Sequence, residues 1–282
     1  MHPIIYLNKT MVEAAKARVA PVSSAMLYGR GVFTTVAINE GTPLFWLTHW
    51  NRLQQNSAKL GINIRGFNEQ VVGEALHKLL AVNEVKNGRA RVILLARSGP
   101  DFWKTQRTEG RETDLLIMTN DPQKISKAGL TLAVSPYRLN TLSPLVGMKT
   151  LNYLDHVLSW EEAQTRQFDE AVMLNERGEI VSATMANLFW VKEGTVHTPT
   201  TSTGAYAGVT REVVLDIATK QFIPVLEGVY ELGDLTDAEE IFVTSASLGV
   251  AMVTTFDFRQ YAVTPESIGQ RIRIAYQALS RI

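Results

Sequence analysis

LVGMKTLNYL, residues 145–154, sets a single lysine, Lys149, between two apolar runs and follows it with Asn152 and Tyr153. A helical segment continues through Gln164. Two short strand signals then follow, 171–174 and 180–182, around the turn 175–178, and the stretch closes with SATMANLFW at Trp190. The commoner fate of such a lysine is a surface ammonium on a buried stem. A lysine that is desolvated instead loses proton affinity, because burial disfavours the charged form. A neutral amine is what Schiff-base chemistry requires.

On the N-terminal side, residues 4–7 and 32–38 read as strands. Asn39-Glu40-Gly41 forms a hairpin turn leading to 43–46. Thr48 is placed to cap a helix over 49–60 that Gly61 ends, and Asn68 to cap a second over 69–83 with Val71, Val72, Ala75 and Leu79 on one face. Residues 90–97 form a strand in which Arg89, Arg91 and Arg97 alternate with apolar residues, and 115–119 form another. The polar loop 98–111 between them is long enough to suggest a role. DPQKISKA, residues 121–128, reads as a linker between a small α/β domain, 1–120, and a larger strand-rich domain, 129–282.

In the second domain, 130–134 is a strand and 138–147 a loop that delivers Lys149. Apolar residues at 151, 154, 157 and 158, with 163 as a further candidate, predict an amphipathic helix. A hairpin over 189–198 turns at Glu193-Gly194. A helix covers 210–220, strands cover 241–244 and 250–256, and a terminal helix covers 267–282. The order of elements predicts an α+β protein.

The 282 residues are 45% hydrophobic, with 28 basic and 28 acidic side chains. Zero formal charge leaves no electrostatic footprint for nucleic acid. No run approaches a membrane span and no signal-peptide pattern opens the chain, so the expectation is a cytoplasmic protein that binds neither nucleic acid nor membrane. There is no cysteine, which excludes disulfides, thiolate metal sites and a cysteine nucleophile. No metal site is expected.

Three further segments bear on Lys149. Gly208-Val209-Thr210-Arg211 puts small residues directly before a helix, where free backbone N–H groups and the positive helix end form a phosphate seat. Ser245-Ala246-Ser247 after a strand adds N–H and hydroxyl donors. Arg52, in HWNRL, adds a guanidinium suited to bidentate contact. With YGRGVFTTVAINEGTPLFWLTHWNRL, KTLNYL, ANLFWVKEGTVHTP, GVTR and FVTSAS in this order, the chain resembles the fold-type IV pyridoxal-phosphate enzymes over nearly its whole length. That family holds the class IV aminotransferases for branched-chain and D-amino acids, and 4-amino-4-deoxychorismate lyase.

The resemblance implies a two-domain α+β fold, a pyridoxal 5'-phosphate cofactor, and a homodimer whose partner loop completes the pocket. It implies Lys149 as the Schiff-base lysine and the acid/base at the substrate Cα. It implies Arg52, Val209, Thr210, Ala246 and Ser247 around the phosphate, and Tyr153 near the phenolic oxygen. Tyr28, Arg91 and Arg138 are the candidates for the substrate side, where a carboxylate needs a donor or a cation. The substrates would be an amino acid and a 2-oxo acid.

One position departs from the family. Its glutamate five residues before the asparagine of the NLF-type motif pairs with the pyridine nitrogen. Counted back from Asn187, that position is Ser182. Glu179 lies at an odd offset from Ser182, so on a strand it faces the other way. The expectation is a largely unprotonated cofactor nitrogen, and a pyridinium signal in NMR of labelled cofactor at neutral pH would refute it. Three readings follow: an aminotransferase, a lyase using the same lysine to release pyruvate and 4-aminobenzoate, and a degenerate non-catalytic member resting on Ser182.

Overall fold

Period-two alternation along Gly31–Asn39 explains the middle of the first sheet. Val32 and Ile38 face a helix-covered core, while Phe33 and Thr35 take the opposite side. The computed structural model describes residues 1–97, 112–123, 126 and 129–280. The chain divides into two units, Met1–Gln123 with Lys149–Asn152, and Lys124–Met148 with Tyr153–Ile282. The 98–111 loop lies outside the described residues, as does part of 121–128.

The first unit runs β1 (Ile4–Leu7), β2 (Thr10–Glu13), α1 (Ser24–Tyr28), β3 (Gly31–Asn39), β4 (Thr42–Pro43), α2 (Trp46–Lys59), α3 (Glu69–Val82), β5 (Gly88–Ala96) and β6 (Thr113–Asn120). Its sheet has the order β2-β1-β6-β5-β3-β4, antiparallel throughout. Leu53 of α2 and Leu76 and Leu79 of α3 pack with Val92 and Leu94 of β5 and Ile117 of β6. Each such leucine stabilises the fold by roughly 1.5–3 kcal/mol relative to exposure.

Two details differ from the sequence expectation. Helix α2 begins at Trp46 rather than at 49, after Phe45 in the left-handed region at φ 53° and with no side-chain cap, so Thr48 lies inside it. The β3–β4 hairpin ends at Pro43, and the chain reverses at Phe45 before any capping residue is reached. Asn68 caps α3 as expected, accepting from Val71 N at 2.8 Å. Val71 itself is exposed. The buried stripe is Val72, Ala75, Leu76, Leu79 and Leu80, the i, i+3, i+4 set that excludes residue 71.

The second unit contains β7 (Leu130–Leu139), α4 (Leu154–Thr165), β8 (Glu170–Asn175), β9 (Ile180–Ala183), β10 (Asn187–Lys192), β11 (Thr195–Pro199), α5 (Val209–Lys220), β12 (Val225–Gly228), α6 (Leu232–Thr236), β13 (Glu240–Ser245), β14 (Gly249–Phe256), β15 (Arg259–Gln260) and α7 (Ile268–Leu279). Its sheet has the order β12-β11-β10-β13-β14-β7-β8-β9, with β15 on β14. β7 pairs with β8 in parallel, which requires a crossover, and α4 supplies it. The arrangement is α+β, as the order of signals predicts. Short β12 and α6 carry too few periodic residues to be read from sequence.

Helix α4 forms on the apolar spacing that predicts it, starting at Leu154 with Leu151 before it. Its apolar residues Leu154, Val157 and Leu158 are 64%, 39% and 41% exposed, while Ser159 and Ala163 are buried. Small residues let α4 lie close over β7, where Ser135 Oγ donates to Ser159 Oγ at 2.9 Å. The amphipathic face exists but is bare in the isolated chain. Among the described residues, no helix is long and apolar enough to cross a membrane.

Candidate functional site

Lys149 belongs with the first unit because residues 149–151 pair with the start of β3. Phe33 N donates to Lys149 O at 3.1 Å, Leu151 N donates to Gly31 O at 3.0 Å, and Val32 and Thr150 form an antiparallel bridge. The two glycines of YGRG make room for this segment. Gly29 adopts φ 65°, and its carbonyl accepts from Asn152 Nδ2 at 3.0 Å. A Cβ on Gly31 would stand 2.5 Å from Leu151 Cδ1 and 2.9 Å from the Leu94 carbonyl oxygen. Leu151 can rotate, but the Leu94 carbonyl is fixed in the β3–β5 ladder. Gly31→Ala is therefore expected to destabilise the fold by about 1–3 kcal/mol and to displace Lys149. Denaturant unfolding together with the pH dependence of amine modification at Lys149 measures both, and a variant matching the parent in both would refute the argument.

The Lys149 amine is buried and lies 4.9 Å from the centroid of the Phe33 ring. Burial, then the charges of Arg52 and Arg91, bring its pKa down to about 7. The Arg91 guanidinium carbon lies 4.7 Å from the same ring centroid, so the ring meets both the Arg91 cation and the Lys149 amine. On α2, Arg52 Nη2 donates to Thr34 Oγ1 at 2.9 Å. The same Thr34 hydroxyl is hydrogen-bonded with His49 Nδ1 at 2.8 Å. His49 is held neutral first by burial and then by Arg52 and Lys149. Arg52 is thereby fixed from below by a neutral acceptor chain.

Of the expected residues, the structure brings Lys149, Arg52 and Arg91 together in the first unit, where Tyr28 ends α1 with an exposed side chain. The others lie in the second unit. Val209 and Thr210 are the buried first residues of α5. Its first intrahelical bond is Glu212 N to Gly208 O at 3.0 Å, and its N-cap residue, Gly208, has no side chain with which to cap the first turn. A Cβ on Gly208 would sit 2.1 Å from Asn187 Oδ1, so a larger residue there would have to displace the buried Asn187 side chain. Asn187 pairs with Thr244 across β10 and β13, so it joins the start of α5 to the end of β13, where Ala246 and Ser247 form a half-buried turn. The Asn187 Oδ1 and Thr244 Oγ1 atoms are buried without a hydrogen-bond partner among the described residues. Thr210 shares a side-chain hydrogen bond with Tyr276 of α7.

Ser182 is buried on β9 opposite Met173. Glu179 is committed elsewhere: it accepts from Arg177 Nε and Nη2 and from Asn175 Nδ2 at 2.6–2.9 Å. Tyr153 donates its hydroxyl to Thr184 O at 3.0 Å. Arg138 is exposed and bonds the carbonyls of Ser135 and Tyr137.

Sequence reading missed Phe33, Thr34 and His49. For His49 a signal existed, a histidine three residues before Arg52 and so on the same helix face. Phe33 and Thr34 become visible only once Lys149 is paired to β3.

Comparison with known proteins is consistent over most of the chain. The family described as amino-transferase class IV matches residues 31–256. A putative branched-chain-amino-acid aminotransferase of Methanocaldococcus jannaschii is 31% identical over 90% of this chain and 88% of its own length. An aminodeoxychorismate lyase of Bacillus subtilis is 28% identical over 97% of this chain and 94% of its own. The crystal structure of a branched-chain aminotransferase from Thermoproteus uzoniensis superposes with a TM-score of 0.89 at 25% identity, covering 100% of this chain and 96% of that one.

Proposed function

The chain belongs to the class IV aminotransferases, an enzyme family that uses pyridoxal 5'-phosphate, and from that premise we propose that it transfers an amino group between an amino acid and a 2-oxo acid, with Lys149 as the reacting amine. The observation that carries this reading is the buried amine of Lys149, whose pKa of about 7 leaves much of it neutral at neutral pH.

The donor set suits the cofactor. Its aldehyde requires a neutral amine, which Lys149 offers. Its phosphate requires N–H donors and a cation: within the second unit the first turn of α5 and the Ala246–Ser247 turn would offer donors, and within the first unit Arg52 would offer the charge. Tyr153 would meet the phenolic oxygen, and Ser182 would offer the ring nitrogen a hydroxyl in place of a carboxylate. When bound, the cofactor supplies an electron-withdrawing ring that acidifies the Cα–H of an attached amine. Lys149 Nζ would take the proton from the substrate Cα and hand it on to the carbon that receives the amino group. Its low proton affinity makes it a base at neutral pH, and its tether to β3 fixes the direction from which it acts. Arg91 would hold the substrate carboxylate, with Tyr28 as a further donor. Arg138 is a weaker candidate, because its guanidinium already serves its own backbone.

A second reading, aminodeoxychorismate lyase, is supported by similarity to the Bacillus subtilis enzyme over nearly the entire chain. The test is the visible spectrum of the protein with pyridoxal phosphate before and after borohydride, with peptide mapping. Reduction should place the adduct on Lys149. An absent adduct in folded protein would refute the assignment. Conversion to the pyridoxamine form by simple amino acids then supports the transaminase, and release of pyruvate and 4-aminobenzoate from aminodeoxychorismate supports the lyase.

The active form proposed here is a homodimer, and the exposed Leu154, Val157 and Leu158 stripe is the face on which a second copy would sit. Leu154→Glu with Leu158→Glu is expected to convert dimer to monomer in sedimentation velocity with little change in far-ultraviolet circular dichroism. A variant that sediments as the parent does would exclude this face.

A further inference from the structure

Glu170, at the start of β8, is a carboxyl that the chemistry above does not use. It is buried, and no cation lies among the groups that set its pKa. Burial pushes that pKa up to about 7, against the pull of hydrogen bonds from Thr184, Ala171 and Met185. An isolated buried carboxyl is costly to the fold unless its oxygens are fully engaged. Here they are engaged by one turn. Thr184 donates to Oε2 through both its amide, at 3.0 Å, and its hydroxyl. Met185 N donates to Oε1 at 3.1 Å, and Ala171 N reaches Oε2 at 3.3 Å. A single side chain thus gathers consecutive donors of the short connection from β9 to β10.

The other side of that connection is also occupied. The Thr184 carbonyl accepts from the Tyr153 hydroxyl at 3.0 Å and from His156 Nδ1 at 2.9 Å. The two rings stack with centroids 4.3 Å apart and planes within 9°. Donation from Nδ1 fixes the proton-bearing nitrogen of His156, since a carbonyl can only accept. The Thr184–Met185 peptide therefore stands between Glu170, which holds its N–H through Met185 and the neighbouring Thr184 hydroxyl, and the Tyr153–His156 pair, which its carbonyl holds.

We propose that Glu170 is the positioning residue for Tyr153: it orients the Thr184–Met185 peptide, and the Thr184 carbonyl sets where the Tyr153 hydroxyl and the His156 ring stand. The proposal rests on the reading of Tyr153 as a cofactor-facing residue, and it extends that reading to a side chain with no contact of its own to the chemistry. A carboxyl suits the task because its two oxygens accept from Thr184 and Met185 together. An amide at the same place presents an NH2 to one of them and must turn it away.

The test is Glu170→Gln in the full chain, with Thr184→Val as a second variant that deletes the hydroxyl donor and keeps the carbonyl. The probes are the Cζ signal of Tyr153 in carbon-13 tyrosine-labelled protein, assigned by its loss in Tyr153→Phe, and the Nδ1 signal of His156 in nitrogen-15 histidine-labelled protein. Both are read without cofactor. Each variant is expected to move both signals. With cofactor, kcat is expected to fall about 10-fold with KM unchanged within about twofold, the pattern of a group that orients another. Folded variants that leave both signals where the parent has them overturn the proposal, whatever their activity. Should the signals move while Tyr153→Phe leaves the cofactor spectrum and turnover unaltered, the positioning stands and the cofactor-facing assignment of Tyr153 fails instead.

Discussion

Lys149→Met is expected to abolish turnover and, in the cofactor-free protein, to raise the melting temperature. Loss of the amine removes both the covalent partner and the proton carrier at Cα, so activity should fall by at least about 10⁴-fold. The gain in stability follows from the same environment. The amine titrates near 7 in the folded chain against 10.5 for an ordinary lysine, a difference caused first by burial and then by Arg52 and Arg91. At roughly 1.36 kcal/mol per pKa unit, keeping this lysine where it is costs the fold on the order of 5 kcal/mol at neutral pH and below. Between about 7 and 10.5 the unfolded chain holds a proton that the folded chain lacks, so the stability of the parent rises with pH across that window. Methionine has similar length and no charge, and it fits beside the Phe33 ring. The variant should melt several degrees higher at neutral pH, on the order of 5–10 °C. The advantage should shrink as the pH approaches 10. Calorimetry of both proteins across this range measures it, and a flat difference would mean that the lysine is solvated rather than buried.

How much of this was legible in the sequence depended on whether the determining contact is local. Lys149 stood out because its apolar flanks are its neighbours in sequence. The start of α5 was legible because Gly208 precedes the helix directly, and Gly61 and Asn68 mark their helix ends through backbone freedom and a side-chain cap within three residues. The Arg52–Thr34–His49 chain was not legible as a unit, since Thr34 lies on a strand 18 residues away and meets Arg52 only when α2 packs on β3. Glu170 and Thr184 are 14 residues apart and meet across the β8–β9 hairpin, where register, not spacing, decides who faces whom. Helix α4 shows the converse failure. Its apolar stripe was correct as a pattern, but periodicity states only that a face is apolar. It does not say whether the chain's own core or another molecule covers that face. Phe45 in a left-handed conformation carries no residue signature, because phenylalanine has no preference for it.

Arg52 is argued to do two things, and a pair of substitutions separates them. As a cation beside Lys149 it lowers the proton affinity of the amine, and as a planar fork it would grip the phosphate. Arg52→Gln removes both. Cofactor affinity is expected to fall about 10- to 100-fold, the usual loss when a charge-assisted bond is deleted. The acid limb of amine modification at Lys149 in the cofactor-free protein should shift to higher pH by about one unit, because Lys149 then needs a more alkaline medium to become neutral. Arg52→Lys keeps the charge and loses the fork, so affinity should fall while the acid limb stays nearly in place. His49 provides an internal control, since Arg52 also helps to hold it neutral and its pKa should rise in Arg52→Gln, read from its ring signals in the cofactor-free protein. Equilibrium dialysis with pyridoxal phosphate and pH profiles of amine modification at Lys149 for the three proteins give the answer. If Arg52→Lys moves the acid limb as far as Arg52→Gln does, the charge of Arg52 is not what sets the amine, and burial with Arg91 must account for it alone.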